Sequence, residues 1–323
     1  MTNFKPFDIV RDASDHHFLG SNHNGKDCKD KVMKTIMKEW KILEQNLPES
    51  IFVRVYEERI DLLRAAIVGP PFTPYYNGLF FFDFCFPKDY PARPPTVYYH
   101  SFGLRLNPNL YSNGYVCLSL LNTWNGQKVE KWNKSQSTVL QVLLSLQALV
   151  LNEKPCFNEP GIRSMAGKSS WEKRSLAYNE ETWVKSCKTM IFLLHTPRKH
   201  FEEFIIEHFR EQAQTILLAC KAYMSGYAKV GDIVQDETSS SPAYKASKQF
   251  NTSMLDIYPR LLDYFASKGA SVENCRIELK VLPKPEDVAE KRKDGISKKM
   301  FITLKMLFGC AKVVEHNDDT IRN

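Results

Sequence analysis

Apolar residues first recur at helical spacing near residue 30. Val32, Ile36, Trp40, Leu43 and Leu47 fall three or four positions apart, which predicts one buried face of a helix over 27–47, ending before Pro48. Lys31, Lys34, Lys38 and Lys41 line its other faces. The pattern then shortens. Segments 51–58, 62–69, 79–87 and 96–100 are β-branched and aromatic and are bounded by Gly, Pro or Asp, which predicts a four-stranded antiparallel meander. Pro87, Pro91, Pro94 and Pro95 stiffen the turn before the last strand. Residues 137–152 are apolar nearly all round, with Ser137, Gln141 and Ser145 as a thin polar strip, so this helix is expected to be buried on most sides against the sheet. Two more helices are predicted over 170–195 and 199–223, the second with Phe201, Phe204, Ile205, His208 and Phe209 on one side.

A run of strands followed by a run of helices implies an α+β domain over 27–224. Residues 1–26 are expected to be an irregular leader, and 225–252, polar and serine-rich, a linker. Residues 253–323 read as a small helical tail. Pro259 would kink its first helix or delay its start, and a second amphipathic helix falls over 298–314.

Composition changes this picture little. With 43% hydrophobic and 25% charged residues in 323, the chain is an ordinary globular one. A net charge of +7 permits an acidic partner and is too weak to argue for nucleic acid. The first residues lack the apolar core of a signal peptide, and the longest apolar run, 139–151, is too short to span a membrane. The cysteines, at 28, 85, 117, 156, 187, 220, 275 and 310, form no C-x-x-C pair and are expected to be reduced thiols without a metal. Asp15, His16, His17 and His23 read as a polar loop, since no carboxylate or thiol set stands at ligand spacing.

The candidate chemistry lies in 107–124, NPNLYSNGYVCLSLLNTW. Turn formers Asn107, Pro108, Asn113 and Gly114 precede Cys117, which stands eight residues after Asn109. A thiolate is a nucleophile, and a carboxamide N–H can stabilise an oxyanion at an attacked acyl carbon. A thiol and a fixed amide with no base beside them suit acyl transfer through a thioester, with the attacking amine supplied from elsewhere. The residues alone leave open a mere packing role for Cys117.

From about residue 27 to 209 the chain resembles a ubiquitin-conjugating enzyme (E2). The resemblance is carried, in order, by the basic first helix, the meander, F-F-x-x-x-F-P at 81–87, Y-P-x-x-P-P at 90–95, the Pro-Asn turn, Cys117 eight residues beyond its Asn, Trp132 and the long apolar helix. NPNLYSNGYVCLSLLNTW, STVLQVLLSLQALVLNEKP and FNEPG are similar to the large, divergent branch that includes the giant inhibitor-of-apoptosis E2 and the plant phosphate-response E2s. FKPFDIVRDASDHHF and EWKILEQNLPESIFVRVYEERIDLLRA look plant-like within it.

The resemblance implies the UBC fold and a cytoplasmic or nuclear enzyme. Such an enzyme accepts ubiquitin from an activating enzyme (E1) as a thioester on Cys117 and passes it to a substrate lysine. Asn109 would stabilise the oxyanion, and Glu159 would orient or deprotonate the lysine. E1 would dock on the lysine face of the first helix, and an E3 ligase and a protein substrate would complete the partners. No metal or organic cofactor is implied, because ATP is consumed by the E1.

Departures from the family pattern are Asn107 in place of its His and Ser119 in place of an Asp. The 117–132 segment is longer and carries Gly126, Lys128, Glu130 and Lys131. Ala92 and Lys134 replace apolar residues that many small E2s show to RING ligases, and Cys156 stands where the branch has an aromatic and is expected near Cys117 in space, a rival thiol. Three alternatives stay open at this level: transfer of another ubiquitin-like modifier, a non-catalytic E2-like binding module, and a hydrolase pairing Cys117 with His100.

Overall fold

A computed structural model describes residues 4–20, 30–124, 126–234 and 244–275. Its centre is one sheet in the order β1 (Phe7–Val10), β2 (Ile51–Tyr56), β3 (Leu62–Val68), β4 (Leu79–Cys85), β5 (Thr96–Tyr99). β2 to β5 form the antiparallel meander that the sequence predicts. The fifth strand was not expected. The leader, read as irregular, lays β1 parallel to β2 with Phe7 opposite Val53 and Val10 opposite Tyr56.

Side chains alternate across the sheet. On one face Val53, Ala65, Phe82 and Tyr99 stand in register and pack under α1 (Asp30–Asn46) and α2 (Val139–Ser145). α1 buries Val32, Ile36, Trp40 and Leu43 there, on the predicted face. Its one buried acid, Glu39, accepts from the Tyr90 hydroxyl at 2.6 Å and from Val139 N at 3.0 Å, tying α1 to the proline-rich turn and to the start of α2. Burial raises the Glu39 carboxyl, and these two hydrogen bonds oppose the rise.

The next residues along the strands, Arg54, Arg64, Asp83 and Tyr98, form a second register row on the other face. Leader and chain after α3 (Ser169–His195) cover this row. Phe4 stacks 4.8 Å from Phe204, and Phe201 lies edge-on to Phe81 at 5.1 Å. His16, expected in a polar loop, is buried with Nε2 3.1 Å from the Leu63 carbonyl. His17 stacks flat on Tyr98 at 3.5 Å.

The apolar helix predicted over 137–152 is shorter and changes type. Thr138 caps α2 in a reciprocal box with Gln141, and a π-helical turn, Leu146–Val150, replaces its last α turn. α3, α4 (Glu202–Ser225) and α5 (Lys248–Ser267) follow. α5 begins inside the stretch read as linker and runs through Pro259. Ser247 caps it by accepting from Phe250 N at 3.1 Å, and the Ser247 N–H and Tyr244 hydroxyl both donate to Glu180 on α3. Met254, Ile257, Leu261 and Phe265 supply its buried stripe against α3 and α4. Residues Met1–Arg276 cluster as one compact unit. The helix expected over 298–314, and Cys28, Cys310 and His23, lie outside the described residues. Among those described, no helix is long and apolar enough to cross a membrane.

Candidate active site

The loop after β5 is built from amide hydrogen bonds. Asn107, wholly buried, donates from Nδ2 to the Tyr75 hydroxyl and to the Val150 carbonyl, both at 2.7 Å. Its Oδ1 accepts from Asn109 N at 2.8 Å. One side chain thus fastens three segments: the β3–β4 loop, the π-helical turn and the candidate loop itself. The Asn-for-His departure noted in the sequence therefore has a structural role, since a carboxamide can donate twice here while its oxygen accepts from Asn109 N and, at 3.4 Å, from Asn158 Nδ2.

Asn109 and Cys117 close the next ring. Cys117 N donates to the Asn109 carbonyl at 2.9 Å, and Asn109 Nδ2 donates to the Cys117 carbonyl at 2.9 Å. The chain between them turns at Gly114, whose φ of +85° and whose contact with the Tyr98 ring both exclude a side chain. Asn109 keeps a second N–H with no acceptor among the described residues, and its buried Oδ1 has no partner there. Thr123 braces the far side, accepting from Leu118 N at 2.9 Å and donating to the Val116 carbonyl at 2.7 Å.

Cys117 is 5% exposed and opens into a groove of about 1830 Å³. Asn109, Tyr111, Cys117 and Glu159 all line it. Burial pushes the Cys117 thiol up from its ordinary range, the Tyr111 hydroxyl and the Arg105 guanidinium pull it down, and Glu159 adds to the rise. The thiol at rest is protonated and shielded. Tyr111 and Arg105 are residues that sequence reading missed, because no spacing rule joins Arg105 to Glu159, 54 residues further along.

The insert after Cys117 folds back toward it. Gln127 and Glu130 cap each other, and a side chain on Gly126 would collide with Ser119 and Glu130. Val129, 88% exposed, and Lys128 and Lys131 stand on the groove wall. Trp132 is fixed beneath by Nε1 donating to the Pro91 carbonyl at 2.8 Å. Cys156 sits beside Glu159 in a short 3-10 turn, Pro155–Asn158, where it is as buried as Cys117 and does not line the groove. His100 is turned to the sheet's outer face, its Nε2 2.9 Å from Asp83 Oδ2. On α1 the four lysines are exposed, and Met33 and Met37 lie between them in a shallow hollow.

Residues 35–184 match the family model described as ubiquitin-conjugating enzyme. Two proteins of Arabidopsis thaliana named among the ubiquitin-conjugating enzymes are similar to the chain. E2 24 is 50% identical over 82% of this chain and 29% of its own length, and E2 38 is 46% identical over 88% of this chain and 86% of its own. A human protein named as the dual E2 ubiquitin-conjugating enzyme/E3 ubiquitin-protein ligase BIRC6 is 37% identical over 69% of this chain and 5% of its own length. The chain thus spans under a third of some relatives and most of another. A mixed sheet with the Asn109–Cys117 ring at its end, and these likenesses along most of the chain, place it in the ubiquitin-conjugating enzyme family.

Proposed function

We propose that the chain is a ubiquitin carrier and transferase that takes ubiquitin from an E1 as a thioester on Cys117 and delivers it to a substrate lysine. One observation carries the proposal: the thiol opens into a long groove from a loop that Asn109 locks on both sides of the cysteine. A flexible C-terminal peptide fits such a groove, and a rigid thiol holds its acyl carbon at one point.

In the charging step the Cys117 thiol loses its proton and attacks the activated carboxyl terminus of ubiquitin. The hydrogen bond from the Tyr111 hydroxyl favours the thiolate that must form. In the transfer step the free amine of a lysine attacks the thioester carbonyl. Negative charge collects on the carbonyl oxygen, and the free N–H of Asn109 is the donor within the loop that can meet it. Glu159, on the groove wall, receives the ammonium and accepts a proton from it. The carbon–sulfur bond then breaks and the thiolate leaves. This chemistry needs no metal or organic cofactor, and ATP belongs to the E1 step. The exposed lysines of α1, with Met33 and Met37, offer the E1 a basic face with an apolar centre, and an E3 ligase and a protein substrate are the further partners.

The test is charging with ubiquitin, E1 and ATP, resolved on a non-reducing gel. A thiol-sensitive shift of one ubiquitin that is lost in Cys117→Ala is expected. No shift in a folded sample would reject the proposal, and the same assay with other ubiquitin-like modifiers would follow. A shift that persists in Cys117→Ala and is lost in Cys156→Ala would transfer the role to Cys156.

A further inference from the structure

A cation stands behind two residues of the groove wall, Glu159 and Tyr111. Arg105 Nη2 stands 3.6 Å from Glu159 Oε2, and its Cζ lies 4.7 Å from the centre of the Tyr111 ring. Lys185 of α3 donates to the Arg105 carbonyl at 2.8 Å, which anchors the backbone from which this arginine reaches out. Glu159 and Tyr111 both line the groove with Cys117. A carboxylate and an aromatic face are the two kinds of group that draw a cation. An ammonium coming to a carbonyl on Cys117 meets the same pair that Arg105 occupies.

We propose that Arg105 is a resident stand-in for the acceptor lysine, holding Glu159 until a substrate amine displaces it and so setting how readily the charged enzyme gives up its acyl group. The proposal rests on the carrier function above. Arg105 and Glu159 are 45% and 42% exposed, so their pair is weak enough to exchange. The guanidinium keeps its charge at every pH where proteins fold, so neutralisation does not lift the block, and only competition does.

Once Glu159 is released, the acceptor ammonium passes one proton to it. The neutral amine adds to the thioester carbonyl, a carbon–nitrogen bond forms and the carbon–sulfur bond breaks. The second amine proton is lost to water as the isopeptide forms, the Cys117 thiolate takes a proton from water, and Glu159 returns its own to solvent. Arg105 touches no reacting atom. It is a positioning residue that acts through Glu159, and it slows discharge to water-borne amines more than to a lysine presented by a bound substrate.

The experiment uses the full chain charged with ubiquitin and then separated from E1 and ATP. Discharge is followed on non-reducing gels over a range of free L-lysine concentrations for the parent, Arg105→Gln, Arg105→Lys, Glu159→Gln and the Arg105→Gln/Glu159→Gln double variant. Arg105→Gln should reach its half-maximal rate at about threefold less lysine, the scale of a half-exposed ion pair. Its maximal rate should change little. Arg105→Lys should behave as the parent, and the gain should vanish when Glu159 is already Gln. Slower discharge in Arg105→Gln, an unchanged half-maximal concentration, or the same gain without Glu159 would each overturn the proposal. So would an Arg105→Gln protein that folds and fails to charge, since the arginine would then serve the carrier step. A parent protein that never charges rejects the carrier function itself, and with it this one.

Discussion

The two faces of the sheet solve burial by opposite means. The inner face is apolar from strand to strand and meets two amphipathic helices, so it needs only shape. The outer face carries Arg54, Arg64 and Asp83 at its centre, yet Arg64 and Asp83 side chains are wholly buried. They survive there because every polar atom is engaged. Arg64 grips both oxygens of Asp83 at 2.7 and 2.9 Å and reaches Asp15 of the leader at 2.7 Å, while His17 N donates to Asp83 at 2.8 Å. Burial alone would raise Asp83, but hydrogen bonds from Arg64 and the nearby His100 hold it far below the usual carboxylate range. An apolar face tolerates its cover being swapped for another of similar volume. A charged face requires a particular cover, here the leader.

Breaking each face at neighbouring residues gives the largest effects. Phe82→Ala opens the inner core and Asp83→Ala strands Arg64 on the outer one, and each should cost about 3–5 kcal/mol in urea denaturation. The rescue separates them. Arg64→Met combined with Asp83→Leu should recover most of the outer loss, whereas no change in a single partner should restore the Phe82 cavity. Failure of the double variant to recover would show that the leader, through Asp15, depends on the arginine as much as Asp83 does.

A smaller cost is expected from Asn107→Ala, which leaves the Tyr75 hydroxyl, the Val150 carbonyl and Asn109 N without their partner. The fold should lose about 1–3 kcal/mol. Ubiquitin charging, measured on the same sample, should fall further than stability does, because Asn109 and Cys117 lose their anchor.

pH should distinguish the faces without mutation. Burial lowers the His16 pKa, with Asp83 opposing, so His16 is neutral in the fold. The unfolded chain binds its proton first, near the ordinary histidine pKa of about 6.5, and stability is therefore full above that pH and declines as pH falls through the folded value. The urea midpoint should drop between neutral and mildly acidic pH, and His16→Gln should flatten that part of the slope. The smallest effect belongs to Arg11 and Glu57, joined at 2.7 Å on the outer rim but exposed. Glu57→Gln should leave the midpoint within error.

The same contrast explains what the sequence made legible. Helix spacing in α1 and strand composition in 51–100 are local signals, and both elements stand where they predict. The Asn109–Cys117 ring is also local, eight residues closed by one turn. β1 was illegible because Phe7–Val10 is four residues long, with a polar Asp8 interrupting it, and it becomes a strand only by pairing with β2. α5 was legible as the first helix of the tail, but its start was hidden in the polar run before residue 253, where Ser247 caps it, and Pro259 neither delays nor ends it. Arg105 and Tyr111 were hidden for a different reason, since their meeting with Glu159 and Cys117 depends on how distant segments pack.

The π-helical turn fixes the length of its helix as well as its course. A helix that widens for a single turn contains one residue more than its α-helical path requires. Here that turn contains the Val150 carbonyl on which Asn107 rests. Trimming a residue from 146–150 would restore ordinary pitch and turn every later position about 100° around the axis, carrying that carbonyl away from the loop that bears the thiol. The turn is therefore part of the frame of the candidate site, and the helix is expected to tolerate substitution there more readily than any change in length.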